Sequence, residues 1–142
     1  MDVLSQAELI LQGMNIGVPA GEKLIIMPGD TVRVTVQFSY RGTAISCTLY
    51  SSIGQKRLGI FDEIAAASKA LTIPASPDFA ACEAFVDIDT APISPGLDYD
   101  IYAKISEYIG QAYNEIDDVI DVVGAPEFKD FAIASYKKAA QG

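Results

Sequence analysis

Nineteen carboxylates and no histidine set the chemistry open to this chain of 142 residues. Without histidine there is no Ser-His-Asp triad, no Cys-His pair and no histidine-ligated metal. Some carboxylates come in spaced pairs, Asp87/Asp89 and Asp98/Asp100. On a strand, a spacing of two puts both members on one face, about 6.5–7 Å apart. A glycosidase needs its acid and its nucleophile or base about 5–9.5 Å apart, inside a cleft. The separation is met, but nothing in the pattern supplies a cleft, so the chain reads as non-enzymatic. Calcium makes better use of such oxygens, taking about six to eight from clustered carboxylates and loop carbonyls. Asn114-Glu115-Ile116-Asp117-Asp118 and Asp121 could supply some, which makes Asp117, Asp118 and Asp121 the candidate ligands. Their spacing is not that of an EF-hand loop, and the glycine that loop requires is missing. The competing reading is a charged loop that stays wet, with no cofactor at all. Cys47 and Cys82 both take inward positions on predicted strands. A bridge across the core needs their strands in opposite sheets; buried free thiols are the favoured state. No base adjoins either, so neither reads as a reactive thiolate.

Charge narrows the partners. Net charge is −9, and residues 78–121 hold eleven acids against one base, Lys104. Nucleic acid is excluded as a partner, because phosphate binding needs a basic stripe. The acidic surplus reads either as a solvated face or as a surface for a cation or a basic partner. No apolar run approaches the ~18 residues of a membrane span. Met1 to Gln6 has no basic stretch, and Leu9-Ile10-Leu11 is too short for a signal-peptide core. The expectation is a protein with protein partners, in a virion or another extracellular assembly, with neither nucleic acid nor membrane.

The elements that must position these groups are β in grammar. Thr31 to Tyr40 alternates strictly, with Val32, Val34, Val36, Phe38 and Tyr40 on one side. Arg41-Gly42 turns the chain into Thr43–Ser52, with Ile45, Cys47 and Leu49 inward. Gly54 to Arg57 reads as a loop and Leu58 to Ile64 as a strand. Alanines give 62–71 helix propensity, but Thr72-Ile73-Pro74 fits a strand ending at a turn, and the balance falls to β. Pro74 to Asp78 reads as a loop. Ala80–Asp89 is a strand with Phe85 outward. Leu97–Ser106 is another, with Leu97, Tyr99, Ile101, Ala103 and Ile105 inward and Tyr102 outward. Residues 107–114 read as a loop carrying Tyr108 and Tyr113, and Ile116–Val123 and Phe131–Tyr136 as the last strands. Ser5-Gln6-Ala7-Glu8 matches a capping box, so residues 1–21 form an arm or short helix and 22–142 the domain. Seven to nine strands with regular turn signals make a single antiparallel β-sandwich.

Ile93-Ser94-Pro95-Gly96-Leu97-Asp98-Tyr99-Asp100-Ile101-Tyr102-Ala103 resembles the entry to strand F of fibronectin type III and related immunoglobulin-like domains. Pro28-Gly29-Asp30 before Val32-Val34-Val36 resembles the entry to strand B of such modules. The resemblance covers roughly twenty residues and implies an immunoglobulin-like sandwich. It also implies a tyrosine corner, in which the Tyr99 hydroxyl bonds backbone around Ala91–Pro95. There is no core tryptophan, and the 107–123 segment is longer than a compact connection needs.

Two kinds of function fit these residues. One is a structural subunit of a larger particle, such as a virion capsid, decoration or tail component. It would dock through Leu9, Ile10 and Leu11 of the arm and through the loop tyrosines Tyr108 and Tyr113. The alternative is a carbohydrate-binding or calcium-dependent adhesion module. Val34, Val36, Phe38, Leu49, Tyr99, Ile101 and Ile105 form the expected core.

Overall fold

The computed structural model describes residues 18–140. Most of the predicted arm, with Leu9, Ile10 and Leu11, lies outside the described residues. The protein is all-β, and its seven strands are β1 (Leu24–Ile26), β2 (Thr31–Gly42), β3 (Ile45–Arg57), β4 (Ile60–Ile73), β5 (Ser76–Asp89), β6 (Gly96–Ile105) and β7 (Tyr113–Val122). A five-stranded sheet in the order β1-β7-β6-β3-β4 faces a two-stranded sheet of β2 and β5. Val32 and Ile88 from the smaller sheet meet Ile53, Tyr99, Ile120 and Val122 from the larger in one buried cluster. The expectation of purely antiparallel pairing is corrected at one edge. β1 runs parallel to β7, with Leu24 opposite Ile120 and Ile26 opposite Val122. A parallel pair needs a long crossover, and here the intervening strands are that crossover.

The alternation of β2 sets its facing: Val32 is buried, and Val34, Val36, Phe38 and Tyr40 are half-buried with exposed residues between them. Alternation alone predicts that Val34, Val36 and Phe38 are largely buried. The smaller sheet has only two strands, so their flanks stay open. Leu49, Tyr99 and Ile105 are buried, while Ile101 is half-buried.

Local corrections have identifiable causes. Gly54 to Arg57 is strand, not loop, and the chain reverses at Leu58 and Gly59, with φ of 53° and 77°. Two consecutive left-handed residues give a turn whose twist suits a hairpin. Leucine is an unusual residue there, so its sequence does not announce the turn. Residues 62–71 lie inside β4, as the balance of their sequence indicates. Between Pro74 and Asp78 only Pro74 and Ala75 leave the strands, and Tyr113 opens β7 rather than sitting in a loop. Phe131–Tyr136 forms no strand among the described residues.

The start of β6 departs furthest from alternation. Asp98 has φ of 62°, and pairing with β7 slips on both sides of Tyr99. Leu97, expected inward, is 64% exposed, whereas Asp100, expected outward beside Asp98, is 4% exposed. A bulge of this kind inserts a residue and re-aims the side chains beyond it. The Tyr99 hydroxyl donates to the Ser94 carbonyl oxygen at 2.6 Å. A Cβ at Gly96 would lie 2.9 Å from that hydroxyl, so glycine leaves the tyrosine its room. Tyr99→Phe is expected to lower the unfolding free energy by about 0.5–1.5 kcal/mol, the net worth of one such bond. A urea melt unchanged within error would show that the bond does not hold the turn.

Candidate functional site

Parity on four strands builds an aromatic surface on the outer face of the larger sheet. Register places Ser52 opposite Tyr102, Tyr50 opposite Lys104 and Lys56 opposite Phe61. Lys104 in turn faces Tyr113 on β7. Tyr102 sits at the centre. Its ring stacks on Tyr113 at 5.6 Å, meets Phe61 edge-on at 4.7 Å and tilts against Tyr50 at 6.1 Å. Such pairs each contribute about 0.5–1.5 kcal/mol beyond area burial. The Lys104 ammonium lies 5.1 Å from the Tyr50 ring centre and 5.8 Å from that of Tyr102.

Glu63 ties the phenols together. The hydroxyls of Tyr50 and Tyr102 both donate to its Oε1, at 2.6 and 3.0 Å. Beneath them Ser52 is fully buried, and its hydroxyl has no hydrogen-bond partner. Burial alone would raise the Glu63 carboxyl. The two phenol donors and the Lys104 charge outweigh it and hold the group below its usual value. The Tyr102 phenol is pushed up, first by burial and then by accommodating the Glu63 carboxylate. A lowered carboxyl favours the fold above its ordinary value of 4.5. That contribution is lost as the pH falls through the folded value. Glu63→Gln should therefore cost stability at neutral pH, with the gap to wild type closing below about pH 4.5. Parallel thermal melts from pH 7 to 3 check it; a gap that stays constant into acid would dissociate Glu63 from the phenols.

The acidic residues do not gather into one cluster. Lys23 bridges Asp98 and Asp121, and Lys56 bridges Glu115 and Asp117. Hydrogen bonding to Asp121 and then Asp98 raises the Lys23 ammonium. The Glu115 and Asp117 carboxylates raise that of Lys56. Asp118 is exposed, and its amide donates to the inturned Asp100 at 2.8 Å. Lys56, Asp98, Asp100, Asp117 and Asp118 line a shallow cleft of about 470 Å³. Among the described residues no three carboxylate or cysteine side chains stand where they would hold one metal ion. Asp87 is held by Arg33 at 2.9 Å, and Asp89 accepts from the Ala91 amide. The two spaced pairs therefore differ from each other: Asp98 and Asp100 diverge at the bulge, while Asp87 and Asp89 share the exposed face.

No protein-family model matches this chain, and no curated protein or solved structure matches it. Cys47 on β3 and Cys82 on β5 are free thiols from opposite sheets that meet in a second small cluster. Burial raises the Cys47 thiol above its usual value, and the Glu107 charge adds to it. Tyr108 and Tyr113 are both exposed, but only Tyr113 belongs to the aromatic surface. No helix among the described residues is long and apolar enough to cross a membrane, a statement that leaves β-barrels aside.

One surface does not stand out in the sequence. Beyond Val122 the chain continues without secondary structure through residue 140. There Phe128, Phe131, Ile133 and Tyr136 are 90%, 91%, 83% and 94% exposed. The signal for it is the alternation of 131–136, which by itself reads as one more strand of this domain. Tyr50, Phe61 and Glu63 also escape a reading by sequence. Parity along β3 turns Tyr50 outward, but Phe61 and Glu63 join it only when Gly54 to Arg57 is taken as strand.

Proposed function

We propose that the protein is a non-enzymatic assembly module, an immunoglobulin-like sandwich that serves as a subunit of a larger particle such as a virion. The observation that carries this reading is the exposed segment after β7. Four large apolar side chains within nine residues stand free of their own domain. Large apolar side chains concentrated in one uncovered segment mark a contact surface, and a partner protein is their natural cover. The strand order supports the sandwich. β3, β6 and β7 pair as strands C, F and G do in immunoglobulin domains, with β2 and β5 opposite them as B and E. The Tyr99 to Ser94 bond takes the place of the tyrosine corner.

The test is co-sedimentation. An antibody to the chain, applied to density-gradient fractions from the organism that makes it, should find it with particles far larger than 15.1 kDa. Recovery only as a free small protein would overturn the reading.

A carbohydrate-binding module is the second reading, favoured by the aromatic surface around Tyr102. Its rings lean against one another rather than lying coplanar, and Glu63 and Glu115 take the phenol donors. Retardation on polysaccharide-loaded gels that Tyr102→Ala abolishes would favour it over assembly.

A further inference from the structure

The β3–β4 hairpin ends in a turn that its own sequence opposes. Leu58 and Gly59 are left-handed in succession, as in a type I′ turn, where Asn-Gly is the preferred pair. Among the described residues the other non-glycine positions with positive φ are Asp98, Asp118 and Asp130, and aspartate tolerates that region. Leucine does not. Its side chain gains nothing from its own domain, because Leu58 is fully exposed. Ile60, just past the turn, is 72% exposed. Strain kept at an exposed apolar tip is the mark of a contact surface.

A groove of matching character lies at the opposite end of the domain. Arg41, Gly42, Thr43, Ala75, Ser76 and Pro77 line it, mostly with apolar surface, and it opens to about 570 Å³. It sits where β2 passes into β3 and β4 into β5. Its size falls among pockets of about 300–1,000 Å³ that take a small ligand, which leaves room for two aliphatic side chains. β3 begins at the groove end and runs 13 residues to the tip. At about 3.4 Å per residue, roughly 40 Å separates the two. The tip therefore cannot fill the groove of its own copy.

We propose that Leu58 and Ile60 of one copy enter the groove between Arg41–Thr43 and Ala75–Pro77 of a second copy. The proposal rests on the assembly reading and names a second copy of this chain as the partner. Charge beside the two surfaces favours that occupant. The base of the tip carries Arg57 and Asp62, 3.7 Å apart. The groove is lined by Arg41, and the exposed Asp78 follows Pro77 at its rim. Among the described residues neither Arg41 nor Asp78 makes an ion pair. In one orientation Arg57 meets Asp78 and Asp62 meets Arg41. The reverse sets like against like, so charge selects a single orientation. Tip and groove are different surfaces, so the contact is heterologous and copies add head to tail, in a ring or an open chain. Two side chains cover far less than the ~1,200–2,000 Å² of a stable interface. One contact is therefore weak, and repetition within a particle holds the copies together.

The experiment uses the full chain at concentrations up to millimolar, with benzoylphenylalanine in place of Ile60. Equal amounts of ordinary and ¹⁵N-labelled protein are mixed, irradiated and mapped by mass spectrometry. Mixed-isotope cross-links from residue 60 to peptides holding 41–43 or 75–77 are expected. Sedimentation equilibrium then compares variants without the cross-linker. Leu58→Asn supplies the Asn-Gly pair the turn prefers, so its urea midpoint should rise, while association weakens about tenfold or more with the loss of a buried leucine. Asp62→Arg should weaken association, and adding Arg41→Asp to it should restore it. A fall in the Leu58→Asn midpoint, association of that variant equal to wild type, or no recovery in the charge-exchanged double variant would each overturn the proposal. So would cross-links between copies that land away from the groove, residues 124–140 included, or a monomer at every concentration. Each of these results leaves co-sedimentation with a particle free to succeed. A chain that associates tip to groove yet is recovered from its organism only as a free small protein would overturn the assembly reading alone.

Discussion

Gly54→Ala is expected to cost about 3 kcal/mol or more, at or beyond the upper end of ordinary overpacking. The cause is a bulge. Ile53 pairs with Ala65 and Gly54 with Glu63, which leaves Ile64 as the extra residue on β4. The bulge draws the two backbones together, and a Cβ at position 54 would lie 2.0 Å from the Asp62 carbonyl oxygen and 3.0 Å from the Glu63 Cα. Both obstacles are main chain, so no rotamer change relieves them. The hairpin has to shift, and Glu63 moves with it away from the phenols of Tyr50 and Tyr102. Gly124→Ala is the control. Nothing lies within 4 Å of its Cβ, and the position is exposed and outside every strand, so the substitution should leave stability within about 0.5 kcal/mol. The urea midpoint of Gly54→Ala should therefore fall while that of Gly124→Ala stays in place. A midpoint for Gly54→Ala at or above that of wild type would show that the bulge is not required.

Asp100→Ala is expected to cost about 3–5 kcal/mol, because one side chain holds two backbone donors. Its Oδ2 accepts from the Lys56 amide at 3.0 Å and its Oδ1 from the Asp118 amide at 2.8 Å. Hydrogen bonds to charged groups are each worth about 1.5–3 kcal/mol. Asp118 is itself left-handed, with φ of 58°, so the carboxyl fixes an irregular point of β7 as well as the end of β3. Asp100→Asn keeps one acceptor and turns an amide group toward the other donor, so about half the loss is expected. Hydrogen exchange locates the effect: the Lys56 and Asp118 amides should lose protection first. Protection unchanged at both would mean that Asp100 does not anchor the strands.

The parts of this molecule that are legible in sequence are those governed by period alone. β2 announces itself through Val32, Val34, Val36 and Phe38, and its facing follows. Where a strand is interrupted, period misleads. The extra residue at Asp98 turns Leu97 out and Asp100 in, and a spacing of two no longer keeps Asp98 and Asp100 on one face. Positive φ at Leu58 is a property of the hairpin that leucine's own preferences oppose, so sequence places the turn too early. Phe131–Tyr136 shows the opposite limit: it alternates as a strand would, yet forms none among the described residues. The aromatic surface depends on register across four strands, and register is set by bulges and turns that single-strand patterns do not contain.

The parallel pairing of β1 with β7 decides how this domain carries tension. A force that pulls the chain apart beyond Leu24 and beyond Val122 draws those two strands along their length in opposite directions. Their hydrogen bonds are then loaded together, in shear, rather than peeled one at a time as at the open end of a hairpin. The Lys23 bridge to Asp121 crosses the same seam and shares the load. Forced opening is governed by the unfolding rate, not by equilibrium stability. A short three-residue strand therefore has a mechanical weight far above its share of the core. Under such a pull the domain would hold until that seam slides.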